Sequence, residues 1–290
     1  MTLAVHRIAR RYFATSLALC AVSTVTHAHT ANDERGFSYF MGLGAQRITY
    51  RESPSIVAVK SLAKVTNPLL ITGAVYALHA DSLLSLDSET TFAPGSTTER
   101  WTATVPVINN VTLTDPVLQT NRFSLNESTT RLMLHYRVRE TLFAVAGPSF
   151  HSQSFKRFGF AAGADNVVAL PADRTVEESA SEVLFHAGLA LESESVRKRG
   201  HHYSLRASVG VPVWRRLENT AFPGTSFSGT GGFELGLAGR YSLALATNVH
   251  IGLWGQVLRS QRSSEAKGNL ELPRSTLSSL SAGMELLWKL

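Results

Sequence analysis

The sequence predicts an all-β fold: an antiparallel up-and-down barrel that crosses a lipid bilayer with its strands. Three observations carry that reading. Near the end of the chain, Leu280, Ala282, Met284, Leu286, Trp288 and Leu290 share one parity, and Ser281, Gly283, Glu285 and Lys289 share the other, with Leu287 the one exception. In an extended strand the two parities point to opposite faces, so one face is oily and the other polar. The same alternation recurs upstream, and its polar face mixes Arg, Glu and His with many Gly, Ala and Ser, which suits the crowded inside of a narrow barrel. Past the first 28 residues no apolar stretch reaches the length of a spanning helix, so a membrane span has to be built from strands.

Taken in order, the chain opens on a basic start, His6, Arg7, Arg10 and Arg11, followed by an apolar run from Tyr12 to Val25. Thr26-His-Ala28 then supplies small residues at both positions a signal peptidase reads, so residues 1–28 are expected to be a cleaved leader and 29–290 the barrel. A membrane anchor would need about 20 apolar residues. Lipidation at Cys20 is opposed by Leu19, which is large for the position before a lipidated cysteine. Cys20 is the only cysteine, and cleavage would remove it, leaving no disulfide framework. Three arginines would leave with it, taking the net charge from +6 to +3, so the basic balance does not point to nucleic acid.

Strand-like stretches are expected at Phe37 to Tyr50, Ile56 to Val65, Leu70 to Ala80, Leu83 to Phe92 and Thr98 to Thr104. Clearer ones follow at Thr130 to Val138, Leu142 to Ser152 and Val176 to Glu192, then around Tyr203 to Val213, Phe233 to Leu245 and Val249 to Val257. Short connections are expected at Thr66-Asn-Pro68, Ala93 to Thr97, Arg139-Glu-Thr141, Val196 to Gly200 and Ala246-Thr-Asn248. Long ones cover about 105–126, 156–175, 215–230 and 262–274. Short and long alternate, as they do in barrels with short inner turns and long outer loops, which gives about twelve strands, with ten as the alternative. A soluble β-sandwich or barrel would alternate too, but its outer face would be richer in Lys, Glu and Thr. Only His29 to Gly36 would precede the first strand, so no secreted passenger is expected.

A closing strand of this pattern, with an aromatic near its end, resembles those of Gram-negative outer-membrane β-barrel proteins. The resemblance implies residence in the bacterial outer membrane, contact with its lipid and lipopolysaccharide, and insertion by the barrel-assembly machinery. A solitary autotransporter-like barrel and a small porin-like barrel both fit.

The expected lumen residues are Arg131, His135, Arg137, Glu178, Glu182, His186, Arg206, Arg240 and Glu285, from the polar parities. Tyr136, Tyr203, Tyr241 and Trp288 are expected to form an aromatic girdle on the oily parities. Glu178, Glu182 and His186 recur at intervals of four and share a face, so they could hold a cation or belong to a structural network. His79 with Asp81, and His151 with Ser152, are placed at outer tips, where the hydrolases and proteases of this class keep their chemistry, yet neither pair carries such a family's motif. His201-His202 abuts a basic turn and reads as a headgroup contact. Lys60 and Lys64 share a parity and either line an anion path or snorkel to the polar boundary. No cofactor, metal or catalytic residue is implied. The function expected is a narrow porin-like channel for small polar solutes. The alternative is a structural or surface-interaction barrel with partner-binding loops, and a lipid hydrolase or protease stands behind both.

Overall fold

The first strand, β1 (Phe37–Ser53), pairs antiparallel with the last, β16 (Arg274–Lys289), in unbroken register from Ser38↔Lys289 to Ser53↔Arg274. The other edge of β1 pairs with β2 (Val59–His79), so the sheet closes on itself and leaves no open edge. The computed structural model describes residues 36–54, 58–108, 110–166, 170–193 and 201–289, and the expected leader lies outside them.

The third stave comes in two pieces, β3 (Ser82–Thr91) and β4 (Ser96–Ala103), both lying between β2 and β7 (Val117–Arg139). A small hairpin, β5 (Val107–Ile108) with β6 (Val111–Thr112), sits in the loop before β7. The wall continues through β8 (Leu142–Ala162), β9 (Thr175–Glu192) and β10 (His201–Asn219). A short β11 (Ser226–Phe227) adds to β10, then come β12 (Gly232–Ala246) and β13 (Val249–Arg262). The hairpin β14 (Glu265–Lys267) and β15 (Leu270–Leu272) precedes β16. The sheet holds twelve strands, arranged as ten staves around the ring, because β4 completes the stave begun by β3 and β11 is an appendage.

Two expected hairpin turns are therefore absent. Thr66-Asn-Pro68 runs straight through β2. Asn67, fully buried, donates from Nδ2 to the Leu125 carbonyl at 2.7 Å and accepts the Gly95 N–H at 3.0 Å. Asn67 thus clasps the break in the third stave, and Pro68 falls where no hydrogen bond is required of its nitrogen. Residues 93–97 are that break, a kink within one stave where Ala93 has φ 46°. The short turns at 80–81, 140–141 and 247–248 lie at the end that holds the chain's terminal strand ends, and the long loops lie at the other, the loop end. The expected outer tip at His79 and Asp81 is consequently at the terminal end, because β2 descends rather than turning at Pro68. His151 and Ser152 lie in mid-strand in β8. The expected turn at Val196 to Gly200 is outside the described residues.

On the outer face an apolar band covers the terminal half, with Leu43 and Leu253 each about three-fifths exposed (61% and 60%). The inner face is polar only in part. Phe40, Leu69, Ile71, Trp254 and Leu287 cluster inside, as do Ile48, Tyr50, Val65, Phe123, Leu125 and Phe155. Leu287, the exception in the terminal alternation, points inward and packs in the first of these clusters.

Candidate functional site

Inward side chains meet across the bore in three layers. Toward the loop end, Arg157 is buried, and its Nε and Nη2 donate to Glu99 at 2.7 and 3.0 Å while Nη2 reaches Glu52 at 2.9 Å. Its guanidinium also stands 4.4 Å from the Phe155 ring centre and 5.1 Å from that of Trp101. A planar cation suits this place, because it can bind one carboxylate through two bonds while its faces stack on rings. Tyr50 donates to Glu52 at 2.6 Å. Beside this group Arg215 meets Glu182 at 2.7 Å, and Arg262 meets Glu178 at 2.9 Å.

In the middle layer Arg131 donates to Glu89 at 2.8 Å and approaches Glu234 at 3.8 Å. Asp87 takes Arg206 at 2.9 Å and Arg240 at 3.5 Å, and Arg240 lies 3.8 Å from Glu285 and 3.7 Å from the centre of the Phe40 ring. His186 shares a hydrogen bond of 2.8 Å with Ser149. His151 lies 3.8 Å from Glu127, inside the barrel.

In the terminal layer Ser85 Oγ is 2.9 Å from His135 Nε2, and His135 Nδ1 is 2.7 Å from Glu192 Oε1. Three strands, β3, β7 and β9, thus bring a hydroxyl, an imidazole and a carboxylate into one relay, in the order used to activate a serine. Arg137 sits lower, about a third exposed, 3.6 Å from Asp81.

All nine expected lumen residues lie on the inward parity, but the structure does not gather them at one place. Glu178 and Glu182 each take a separate arginine in the upper layer, and His186 bonds a serine below them. Tyr136, Tyr203 and Tyr241 are exposed on the outer face near the terminal end, and Trp288 stacks on Tyr39 with ring centres 5.8 Å apart. Among the described residues no His, Cys, Asp and Glu group has the arrangement to hold a metal ion. Sequence reasoning missed Arg157 with its partners Glu52 and Glu99, and it missed Arg215 and Arg262, which take Glu182 and Glu178. The missed residues fall in stretches read as loops or weak strands, such as Ser96-Thr-Thr-Glu-Arg100 and Ser260-Gln-Arg-Ser-Ser264, where polar residues occupy both parities and hide the alternation.

At the loop end, Leu217, Phe227 and Leu272 pack with Ala180 over the bore, flanked by Phe222 and Leu270. Glu265 accepts the backbone N–H groups of Ser228 and Gly229 at 3.1 and 2.7 Å, and Arg215 donates to the Gly229 carbonyl, so the loops are tied to each other and to the wall. Asp165 accepts from Thr114 Oγ1 at 2.6 Å and from the Thr114 and Asp115 N–H groups at 2.9 and 3.2 Å, joining two further loops. These bonds, led by the Thr114 hydroxyl, hold the Asp165 carboxyl below its ordinary pKa. A cleft of about 760 Å³ lies at this end, lined by outward residues of β8, β9 and β10, including Lys156, Glu177, Arg216 and Glu218, and by Phe222.

The outer wall divides into two sectors above the apolar band. On β8 to β10, Lys156 pairs with Glu177 at 3.2 Å and Arg216 with Glu218 at 2.6 Å. On β13, β16, β1, β2 and β4 the outward charges are Arg259, Arg274, Arg47, Arg51, Lys60, Lys64 and Arg100, all exposed, and among the described residues of these strands no carboxylate shares their face. Lys60 and Lys64 therefore point away from the bore.

No family model matches the chain, and no curated protein matches it either. In structure it is similar to the outer membrane protease OmpT from Escherichia coli, with a TM-score of 0.65 and 12% identity, over 92% of this chain and 100% of that one. It is also similar to the translocator domain of the autotransporter NalP from Neisseria meningitidis, at a TM-score of 0.38 and 11% identity over 98% and 95% of the two chains. The transport unit of the autotransporter AIDA-I from Escherichia coli gives 0.40 and 10% over 94% and 96%. At these identities the likeness speaks for fold alone: the chain has the fold of Gram-negative outer-membrane β-barrels.

Proposed function

We propose that the protein is an outer-membrane barrel with a closed bore that works through its loop face, as a structural or surface-interaction barrel, and not as a standing channel. One observation carries this. Arg131, Arg157, Arg206, Arg215, Arg240 and Arg262 are each tied to a carboxylate inside, between layers of buried aromatic and aliphatic side chains. A conduction path needs polar groups that can exchange with a passing solute, and these are spent on one another. Interlocked loops and a polar cleft at the loop end support the same reading, and the rule of short inner turns and long outer loops puts that end outside the cell. Purified protein in planar bilayers is expected to be electrically silent, while Arg131→Ala with Arg240→Ala produces intermittent conductance. Steady conductance from the unaltered protein overturns the proposal in favour of a porin-like channel.

A second reading, acyl hydrolysis at the terminal mouth, has the Ser85–His135–Glu192 relay in its favour. A fluorophosphonate probe that labels the folded barrel at Ser85, and fails to label His135→Ala, would support it. Absence of labelling on folded protein leaves the relay as a structural tie.

A further inference from the structure

The unneutralised sector of the outer wall has a regular lattice. Arg259 faces Ser278, which faces Thr49, which faces Lys64, along one row across four strands. The next row toward the loop end runs Thr276, Arg51, Leu62 and Arg100. Arg274 stands opposite Ser53, and Arg47 lies between Leu280 and Thr66. Within a row the cations stand two or three strands apart, about 10–15 Å, but the diagonal pairs Arg47–Lys64, Arg51–Lys64, Arg51–Lys60 and Lys60–Arg100 are about 7–8 Å apart. The diagonal spacing lies within about one Debye length at ordinary salt, so these neighbouring charges repel one another and an anion among them relieves the repulsion. Elsewhere on the same wall the chain supplies its own anions, Glu177 and Glu218; in this sector the described residues of the strands supply none on the outer face.

The depth of the lattice identifies the missing anion. On the same outward face, Leu280 of the apolar band stands beside Arg47, and Ala45 and Leu43 follow below it on β1. The cations therefore stand where hydrocarbon gives way to headgroups, and guanidinium groups bind phosphate oxygens in pairs. We propose that this sector is a binding ridge for the phosphate groups of an outer-leaflet glycolipid of the lipopolysaccharide class. The inference rests on the bilayer-crossing, loop-end-out reading and adds its ligand, its residues and its side of the barrel. The ridge supplies fixed positive charge at the place where divalent cations otherwise bridge neighbouring lipid phosphates, so the bound glycolipid stays on the protein when those cations are chelated.

The test uses full-length protein refolded in detergent, with folding read from its faster migration in unheated gels. Affinity for lipopolysaccharide micelles is compared among the unaltered protein, Arg47→Gln/Arg51→Gln/Lys60→Gln/Lys64→Gln, and a charge-balanced control, Lys156→Gln/Glu177→Gln/Arg216→Gln/Glu218→Gln. The ridge variant is expected to lose affinity by about tenfold or more, as removal of several charge-assisted contacts requires, and the control to lose none. Dephosphorylated glycolipid should erase the difference. Single variants Arg51→Gln and Lys64→Gln, expected to show smaller losses, carry the test if the quadruple variant does not fold. Equal affinity in the folded ridge variants sinks the ridge. So does a preference for a soluble heparin fragment with the same residue dependence, which would make the sector a receptor for free polyanions. Failure of the unaltered protein to insert into liposomes instead removes the bilayer reading beneath it.

Discussion

Arg157 and Arg51 stand near the same end of the barrel on opposite sides of its wall. Arg157 is 5% exposed, bonded to Glu99 and Glu52 and walled by four aromatic rings. Arg51 is exposed, with Thr276 and Leu62 as its cross-strand neighbours and no carboxylate on its face. Inside the wall, where water is scarce, an unpaired charge is very costly, so each arginine is matched by an anion from this chain. Outside, a charge can wait for an anion from the surroundings. The contrast separates charges that hold the barrel together from charges available for binding.

The largest effect expected from breaking this contrast is at Arg157. Arg157→Met strands Glu52 and Glu99 in the interior and is expected to cost about 3–5 kcal/mol, the range for removing one partner of a buried ion pair. Arg51→Met is expected to change stability by no more than about 0.5 kcal/mol, as for a surface residue with no such partners. Denaturant unfolding in one detergent measures both. Similar losses would erase the distinction.

Along β13 the outer face offers a second comparison. Leu253 sits in the middle of the apolar band, and Arg259 lies six residues further toward the loops on the same face. Leu253→Arg is expected to destabilise the barrel in lipid by about 2–4 kcal/mol, the range for a basic residue at the bilayer midplane. Arg259→Leu should leave stability almost unchanged. Were Arg259→Leu the more harmful of the two, the band would be drawn at the wrong height.

Packing in the bore gives a smaller effect. A Cβ at Gly73 would lie 2.3 Å from both the Leu86 carbonyl oxygen and the Phe40 ring, so Gly73→Ala should cost about 1–3 kcal/mol through overpacking. A neutral result would mean that the interior is loosely filled.

The smallest effect concerns pH. The Asp165 pKa is lower in the folded chain than in the unfolded one, so the clasp from Asp165 to Thr114 is at full strength above the unfolded value, about 3.9. It is lost as pH falls through the lowered folded value. Protection of the Thr114 amide, its exchange rate set against that of an unstructured amide at the same pH, should be high at neutral pH and fall in acid, and Asp165→Asn should remove most of that pH dependence.

Much of this architecture is legible in residues with a strict period of two. From Thr130 onward, inward Arg131, Glu178, Arg206, Arg240 and Glu285 alternate with outward leucines, valines and tyrosines, and the wall can be read directly. Between Phe37 and Trp101 the signal fails for a physical reason. The bore there is packed with Phe40, Ile48, Tyr50, Leu69 and Ile71, while the outer wall carries Arg47, Arg51, Lys60 and Lys64, so polarity no longer marks the face. Asn67 and Pro68 look like a turn because both residues favour turns, and only the partners of Asn67 on the neighbouring staves, Leu125 and Gly95, reveal a continuous strand. The arginine–carboxylate pairs are equally out of reach: Glu52 and Glu99 lie far from Arg157 in sequence, and only the order and register of the strands around the ring bring them together.

Adjacent residues Gln46 and Arg47 offer the most direct test of a closed bore inside a charged wall. Gln46 is buried in the bore, where it donates to Glu127 at 3.1 Å, and Arg47 faces outward and is exposed. In a Cys20→Ser background, Gln46→Cys and Arg47→Cys are each treated with a charged, membrane-impermeant thiol reagent on folded protein, and the rate of modification is measured. The expected result is rapid modification of Arg47→Cys and none of Gln46→Cys until the barrel is unfolded. Modification of Gln46→Cys at a comparable rate would mean an open, water-filled bore and would contradict the account.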